Sequence, residues 1–243
     1  MGSRVLTWHD IDLRCAKDRL KALRARDLEM SAVISVDDAP GEPNDALLDL
    51  IAPLAARARA TTLPLLRERQ APSFVHVWPG EHYRLLAALV QETQPRTILE
   101  IGTCQGLSAL AMLPLLRPDA SLTTFDLLAW DRFPGTLLRQ DDFGDSRFRQ
   151  IVDDLSDIAA AERHAPLLQR ADLLFVDAAK DGHLEQTLLD NFARVGLKTG
   201  ALVVMDDIRF WNMLAIWRRI KRPKLDVTTL GHYSGTGLVW WTP

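Results

Sequence analysis

The sequence predicts an α/β fold, a mostly parallel sheet with helices on both faces and a helical segment ahead of it. Three observations predict it. From about Pro79 short apolar runs alternate with amphipathic stretches, the pattern of strands linked by covering helices. Several of those runs end in acidic residues, at the strand ends where sheets of this kind place their ligands. A length of 243 residues with 47% hydrophobic content is enough for one large domain with an added segment.

In chain order, apolar residues at helical spacing run from Asp10 to Met30 (Ile11, Leu13, Leu20, Leu23, Leu28), and again from Asp45 to Arg69. The turn-rich stretch Asp37-Asp38-Ala39-Pro40-Gly41-Glu42-Pro43 separates them. These are expected to be helices outside the sheet, serving packing, oligomer contact or an active-site lid. The alternating part then reads as helix 81–93, strand 97–101, helix 106–116, strand 121–125, strand 148–152, strand 172–176, helix 182–195 and strand 200–205. Trp211 to Lys221 suggests one more helix. Asp226 to Trp241 suggests two strands around His232-Tyr233-Ser234-Gly235-Thr236-Gly237, whose glycines suit a turn. The expected division is a helical extension or lid over 1–75 and a ligand-binding domain over 76–243.

Composition narrows the function. A formal net charge of −3 with interspersed signs leaves no broad basic field for nucleic acid or anionic lipid. Two cysteines, Cys15 and Cys104, form no disulfide or zinc pattern. No apolar run approaches the roughly 18 residues of a membrane span, and the start lacks a signal-peptide layout. The expectation is a soluble cytoplasmic protein that uses a small molecule rather than nucleic acid or a membrane as partner, with a homodimer compatible with the helical extension.

The most informative run is TILEIGTCQGLSALAML, Thr97 to Leu113. Glu100 ends a strand, and Gly102-Thr103-Cys104-Gln105-Gly106 turns into a helix near Ser108. Glycines let a backbone approach a ligand closely, and a helix start offers free N–H groups to an anion. A dinucleotide fold wants G-x-G-x-x-G here, whereas this turn is G-x-x-x-G directly after an acid, a spacing that favours S-adenosylmethionine over NAD. Asp126 ends the next strand, where a carboxylate reaches the vicinal hydroxyls of a ribose; its plainer reading is a solvated strand end. Asp153 and Asp154 end the strand after that. Asp154 is placed either near an adenine amino group or as a helix N-cap.

With those segments in hand, the chain from about Trp78 to Asp207 resembles the small class I O-methyltransferases of the catechol and caffeoyl-coenzyme A type. The resemblance rests on PGEHYRLLAALV, ILEIGTCQGLS, LTTFD, LLFVDAAKDGHLEQTLL and GALVVMDD, in the family's order. It implies a Rossmann-like class I methyltransferase sheet and S-adenosylmethionine as cofactor, held by Glu100, Gly102, Thr103, Gly106, Ser108, Asp126 and Asp154. The N-terminal segment and the tail from Ile208 are not covered.

Two further strands end in acids, one at Asp177 and one at Asp206-Asp207, with Lys180 three residues after the first. If both strands are central and parallel, three carboxylates converge, their repulsion calls for positive charge, and a hard divalent cation such as Mg²⁺ supplies it. The resemblance implies Asp177, Asp206 and Asp207 as ligands of a metal that chelates adjacent substrate oxygens, and Lys180 as the base. The family usually carries Asn where this chain has Asp207; Asp keeps an oxygen donor, but its added charge weakens the cation's pull on a substrate hydroxyl. The plainer reading has Asp206 and Asp207 capping element ends or pairing with Arg209. His82, Tyr83, His183 and His232 are lesser candidates. The run Trp130 to Gly135 either covers the cofactor or simply packs. Metal-independent chemistry on S-adenosylmethionine, and binding without catalysis, are the competing readings.

Overall fold

The computed structural model describes residues 45–79, 82–210 and 212–242. The helix expected over 10–30, the turn at 37–43, Gly80, Glu81 and Trp211 lie outside the described residues.

Among the described residues seven strands form one sheet: β1 (Thr97–Ile101), β2 (Ser121–Asp126), β3 (Phe148–Val152), β4 (Leu173–Val176), β5 (Leu202–Asp206), β6 (Lys224–Asp226) and β7 (Thr236–Trp240). Their order is β3-β2-β1-β4-β5-β7-β6. Neighbours run parallel except around β7, which is antiparallel to both β5 and β6. Strand order therefore reverses between β1 and β4, and the crevice beyond their carboxyl ends is the place for a ligand.

Period-two alternation divides the core. Ile98, Leu122, Leu173, Phe175, Val204 and Leu238 face one side, while Leu99, Phe125, Leu174, Val203, Met205 and Val239 face the other. The first side is covered by α1 (Asp45–Ala60), α2 (Pro64–Glu68), α3 (Tyr83–Thr93) and α4 (Leu107–Met112). The second is covered by α6 (Ala165–Leu168), α7 (Leu184–Val195) and α8 (Met213–Arg219), with α5 (Ile158–Arg163) packed on α7.

The expected helical run over 45–69 is two helices, because Pro64 starts α2 where its missing N–H costs nothing. Leu47, Ile51, Leu54 and Ala58 line one face of α1 and join the core of the sheet's first side. The helix expected over 106–116 is α4 followed by a 3₁₀ turn, Leu113–Leu115, since Pro114 cannot continue the α-helical ladder. Helices α5 and α6 were not legible in sequence. They are short, and α5 is announced only by Asp157, whose carboxylate accepts from Ala159 N–H at 3.0 Å. In the tail the strands are separated by a wide loop rather than a tight turn, with a 3₁₀ turn at Thr228–Leu230. That loop docks on the segment after β5: Arg209 N–H donates to Ser234 O at 2.9 Å and Ile208 N–H to Gly235 O at 3.3 Å. Gly235 has φ +119°, and a Cβ there would strike the Arg209 amide. Among the described residues no helix is long and apolar enough to cross a membrane.

Candidate active site

At the end of β1 the chain turns sharply, and the two glycines are where side chains cannot go. Gly102 has φ +99° and a Cβ on it would collide with the Asp177 carbonyl, so β1 and β4 can close together at the switch point only because this residue is glycine. Gly106 has φ +81° and is covered by the Leu138 side chain. Glu100 is fully buried behind the loop, where it accepts from the Ser108 hydroxyl. Burial pushes its carboxyl up to about 7, only partly opposed by the Ser108 and Thr124 hydroxyls. Thr103 is likewise turned inward: its hydroxyl meets Thr124 Oγ1 at 2.8 Å and accepts from Gln150 Nε2 at 3.0 Å.

Asp126 ends β2 and reaches back to the loop. One carboxylate oxygen accepts from the amides of Thr103 (2.8 Å) and Cys104 (3.1 Å), and the other from Leu128 N–H (3.2 Å). The acid therefore braces the glycine turn in this structure. Asp154 accepts from the amide (2.9 Å) and hydroxyl (2.6 Å) of Ser156, so it caps its own turn while Asp157 caps α5. Asp153 turns to Arg163 and His164, whose hydrogen bonds hold its carboxyl down at about 2. The run after Asp126 folds back toward the glycine loop, with Leu137 N–H donating to Gln105 O at 3.0 Å. Trp130 itself stacks on Phe143 (5.1 Å between ring centroids), which stacks on Phe148.

The second half of the site lies beyond β4 and β5. Asp177, Asp206 and Asp207 do converge, with oxygens within 4.8 Å of one another. A positive charge among them is already present in a side chain of the protein. The Lys180 ammonium contacts Asp177, lies 3.1 Å from Asp207 and 3.8 Å from Asp206, and is almost entirely buried. Burial works against its charge, but Asp177 and Asp206 outweigh that and hold the lysine above its ordinary value. Its backbone is fixed in the left-handed region, φ +57°, by Glu185, which accepts from the Lys180 amide at 2.7 Å.

Two histidines complete the balance. His82 Nδ1 stands 3.3 Å from Asp206 Oδ1, and His232 Nδ1 stands 3.4 Å from the same oxygen and 3.2 Å from Asp207. Although burial raises carboxyl values, His82 and His232 keep Asp206 well below the carboxylate range. Asp177, partly buried and repelled by Asp206, is the acid pushed up. Burial also disfavours charge on His82, yet Asp206 carries its value above the usual one. Ser234 donates to Asp207 and lies 2.7 Å from His232 Nδ1. Arg209 pairs with Asp226 instead of Asp207, its Nε at 2.6 Å. His183 is exposed at the start of α7, away from this cluster.

The gathering of His82, His232, Ser234 and Glu185 around the acids was missed in the sequence. His82 and His232 stand 150 positions apart, and each alone looks like an ordinary histidine. The one available signal was the glycine-flanked run His232 to Gly237, compact enough to aim polar groups at a neighbour.

Residues 99–208 match a family model described as a methyltransferase domain. Among solved structures, the O-methyltransferase TomG from Streptomyces achromogenes, involved in tomaymycin synthesis and crystallised with S-adenosylmethionine, is similar with a TM-score of 0.51. It is 21% identical over 93% of this chain and 99% of its own. A protein from Corynebacterium glutamicum is similar with a TM-score of 0.52, at 20% identity over 78% of this chain and 90% of its own. At such identities the likeness to these two structures is one of fold.

Proposed function

We propose that this chain, whose residues 99–208 match a methyltransferase-domain model, is a class I S-adenosylmethionine-dependent methyltransferase that methylates an oxygen of a small molecule at the acidic end of β4 and β5. The observation that carries this reading is the adjacency of the two half-sites: Gly102 of the cofactor turn packs against the backbone of Asp177, the first acid of the second half. A methyl donor in the turn therefore lies beside the carboxylates. The sulfonium is already activated, so the protein mainly holds a nucleophilic oxygen in line with the methyl group, at about 3 Å.

In this reading the amino-acid end of S-adenosylmethionine lies over Gly102 to Ser108, its ribose on Asp126 and its adenine toward Asp154. Support for this comes from the turn's place at the switch point, where Gly102 lets it close against β4. Glu100, Thr103 and Ser108 support the turn from behind through the bonds described above. In this reading residues 76–243 make the cofactor domain, and α1 and α2 pack on the sheet's first side.

Asp177, Asp206 and Asp207 offer an all-oxygen donor set that suits a hard divalent cation such as Mg²⁺. Such a cation, when bound, lowers the pKa of a coordinated substrate hydroxyl. Holding it requires Lys180 to leave the place its ammonium now takes, and only a lysine released from these carboxylates can act as a base. That same placement supports a second reading, metal-independent transfer, in which Lys180, His82 and His232 balance the acids. A methyl-transfer assay on small molecules with neighbouring hydroxyls decides between them. Exhaustive chelation should abolish turnover and Mg²⁺ restore it; full turnover after chelation replaces the first reading with the second.

A further inference from the structure

The two oxygens of Asp206 serve different neighbours. Oδ2 faces the Lys180 ammonium at 3.8 Å, within the three-acid cluster. Oδ1 faces the other way, toward His82 and His232, and is buried without a hydrogen-bond partner. His82 is in the same condition. It is 2% exposed, and neither ring nitrogen has a hydrogen-bond partner, its 3.3 Å approach to Asp206 lacking hydrogen-bond geometry. Buried polar atoms left unpaired are costly, and His82 Nδ1 and Asp206 Oδ1, 3.3 Å apart, face each other in that state unless a ligand meets them.

We infer that Asp206 Oδ1, His82 and His232 form a second site, sharing Asp206 with the acid cluster, for a borderline transition cation of the Zn²⁺ or Co²⁺ class. The spacing suits it. Nitrogen and carboxylate ligands at about 2.0–2.2 Å from a tetrahedral ion stand about 3.3–3.5 Å apart. His82 and His232 approach Asp206 Oδ1 at 3.3 and 3.4 Å, and all three ligand atoms lie within 4.8 Å of one another. The imidazole planes are set edge to face at 81°, with centroids 5.4 Å apart, so they approach the common point from different directions instead of stacking. Phe175 and Tyr83 wall the His82 ring, which restricts the ways it can turn. Two imidazoles and one carboxylate select a borderline ion over Mg²⁺, which prefers oxygen. Binding displaces both the Ser234 hydroxyl and Asp207 Oδ1 from His232 Nδ1 and leaves the hydroxyl on Asp207, to which it already donates.

This site stands whether or not the three acids hold Mg²⁺, and it is tested by Co²⁺ titration of the full chain. Tetrahedral Co²⁺ on imidazole ligands absorbs strongly in the visible, whereas Co²⁺ on carboxylates and water alone is only weakly coloured. The expected result is a band that saturates at one equivalent and disappears on Zn²⁺ addition. His82→Ala and His232→Ala should each weaken Co²⁺ binding at least about tenfold, while Asp177→Asn leaves the band unchanged. Absence of the band in the wild type, its survival in both histidine variants, or its loss in Asp177→Asn overturns the site. Because His82 is in the core and its variant risks misfolding, thermal melts provide a second reading: Zn²⁺ should raise the Tm of the wild type and not that of His232→Ala. Equal shifts in the two proteins overturn it. Failure here leaves the Mg²⁺ dependence of methyl transfer, and its reliance on Asp177, untouched.

Discussion

The two halves of the site are built in opposite ways. The cofactor turn comes from one continuous stretch and its neighbouring strand, and apart from Glu100 Oε2 its polar groups are paired: Asp126 with loop amides, Glu100 Oε1 with Ser108, Thr103 with Thr124 and Gln150. The acid end is drawn from four distant segments around Asp177, Asp206, His82 and His232, and it keeps buried atoms unpaired on His82 and Asp206. The first half is a finished support. The second holds concentrated charge whose balance rests on Lys180, and it is where the binding of a further ligand would change most.

The largest test of that contrast is Asp177→Asn, which removes a carboxylate from the acid end and touches the cofactor turn only through its backbone. The expected loss is at least about a hundredfold in kcat/KM with nearly unchanged S-adenosylmethionine affinity. A parallel fall in cofactor affinity, measured by calorimetry, breaks the separation of the two halves.

Next in size is the pH dependence owed to Glu100. Its folded value is raised from 4.5 to about 7, so its contribution is fully present below pH 4.5 and is lost as pH rises through about 7. Glu100→Gln keeps an acceptor for Ser108 and removes the ionisation. Between pH 4.5 and 7 the wild type should lose up to about 3 kcal/mol of stability relative to the variant. Parallel denaturant curves for both proteins across that range show that Glu100 is not kept neutral by its burial.

The smallest effects separate contact from support within the cofactor half. Asp126→Ala should weaken S-adenosylmethionine by about 1–3 kcal/mol if the carboxylate both braces the turn and clamps the ribose. Asp154→Ala should cost about 1 kcal/mol or less in fold stability through its lost turn. A further drop in cofactor affinity in that variant marks an adenine contact, and an unchanged affinity leaves Asp154 as a turn cap only.

Much of the architecture was legible because each signal was local. The strands at Thr97, Ser121 and Phe148 carry short apolar runs, Gly102 and Gly106 stand where the backbone takes positive φ, and Pro64 and Pro114 mark where helices break. Helices α5 and α6 escaped because six and four residues show too little periodicity to stand out from loops. Asp177, Asp206 and Asp207 were foreseen as neighbours because a parallel sheet puts successive strand ends on one edge.

The sequence by itself determined the α/β class, the glycine turn and the acids at the strand ends, since these depend on residue type and near-neighbour spacing. Only the tertiary structure decided what surrounds the acids. The Lys180 ammonium among three carboxylates follows from a left-handed turn fixed by Glu185, and His82 and His232 meet on Asp206 because α3 and the tail loop converge over β5. Charge balance in a buried cluster is a sum over every group within a few ångströms, and chain separation gives no measure of that distance.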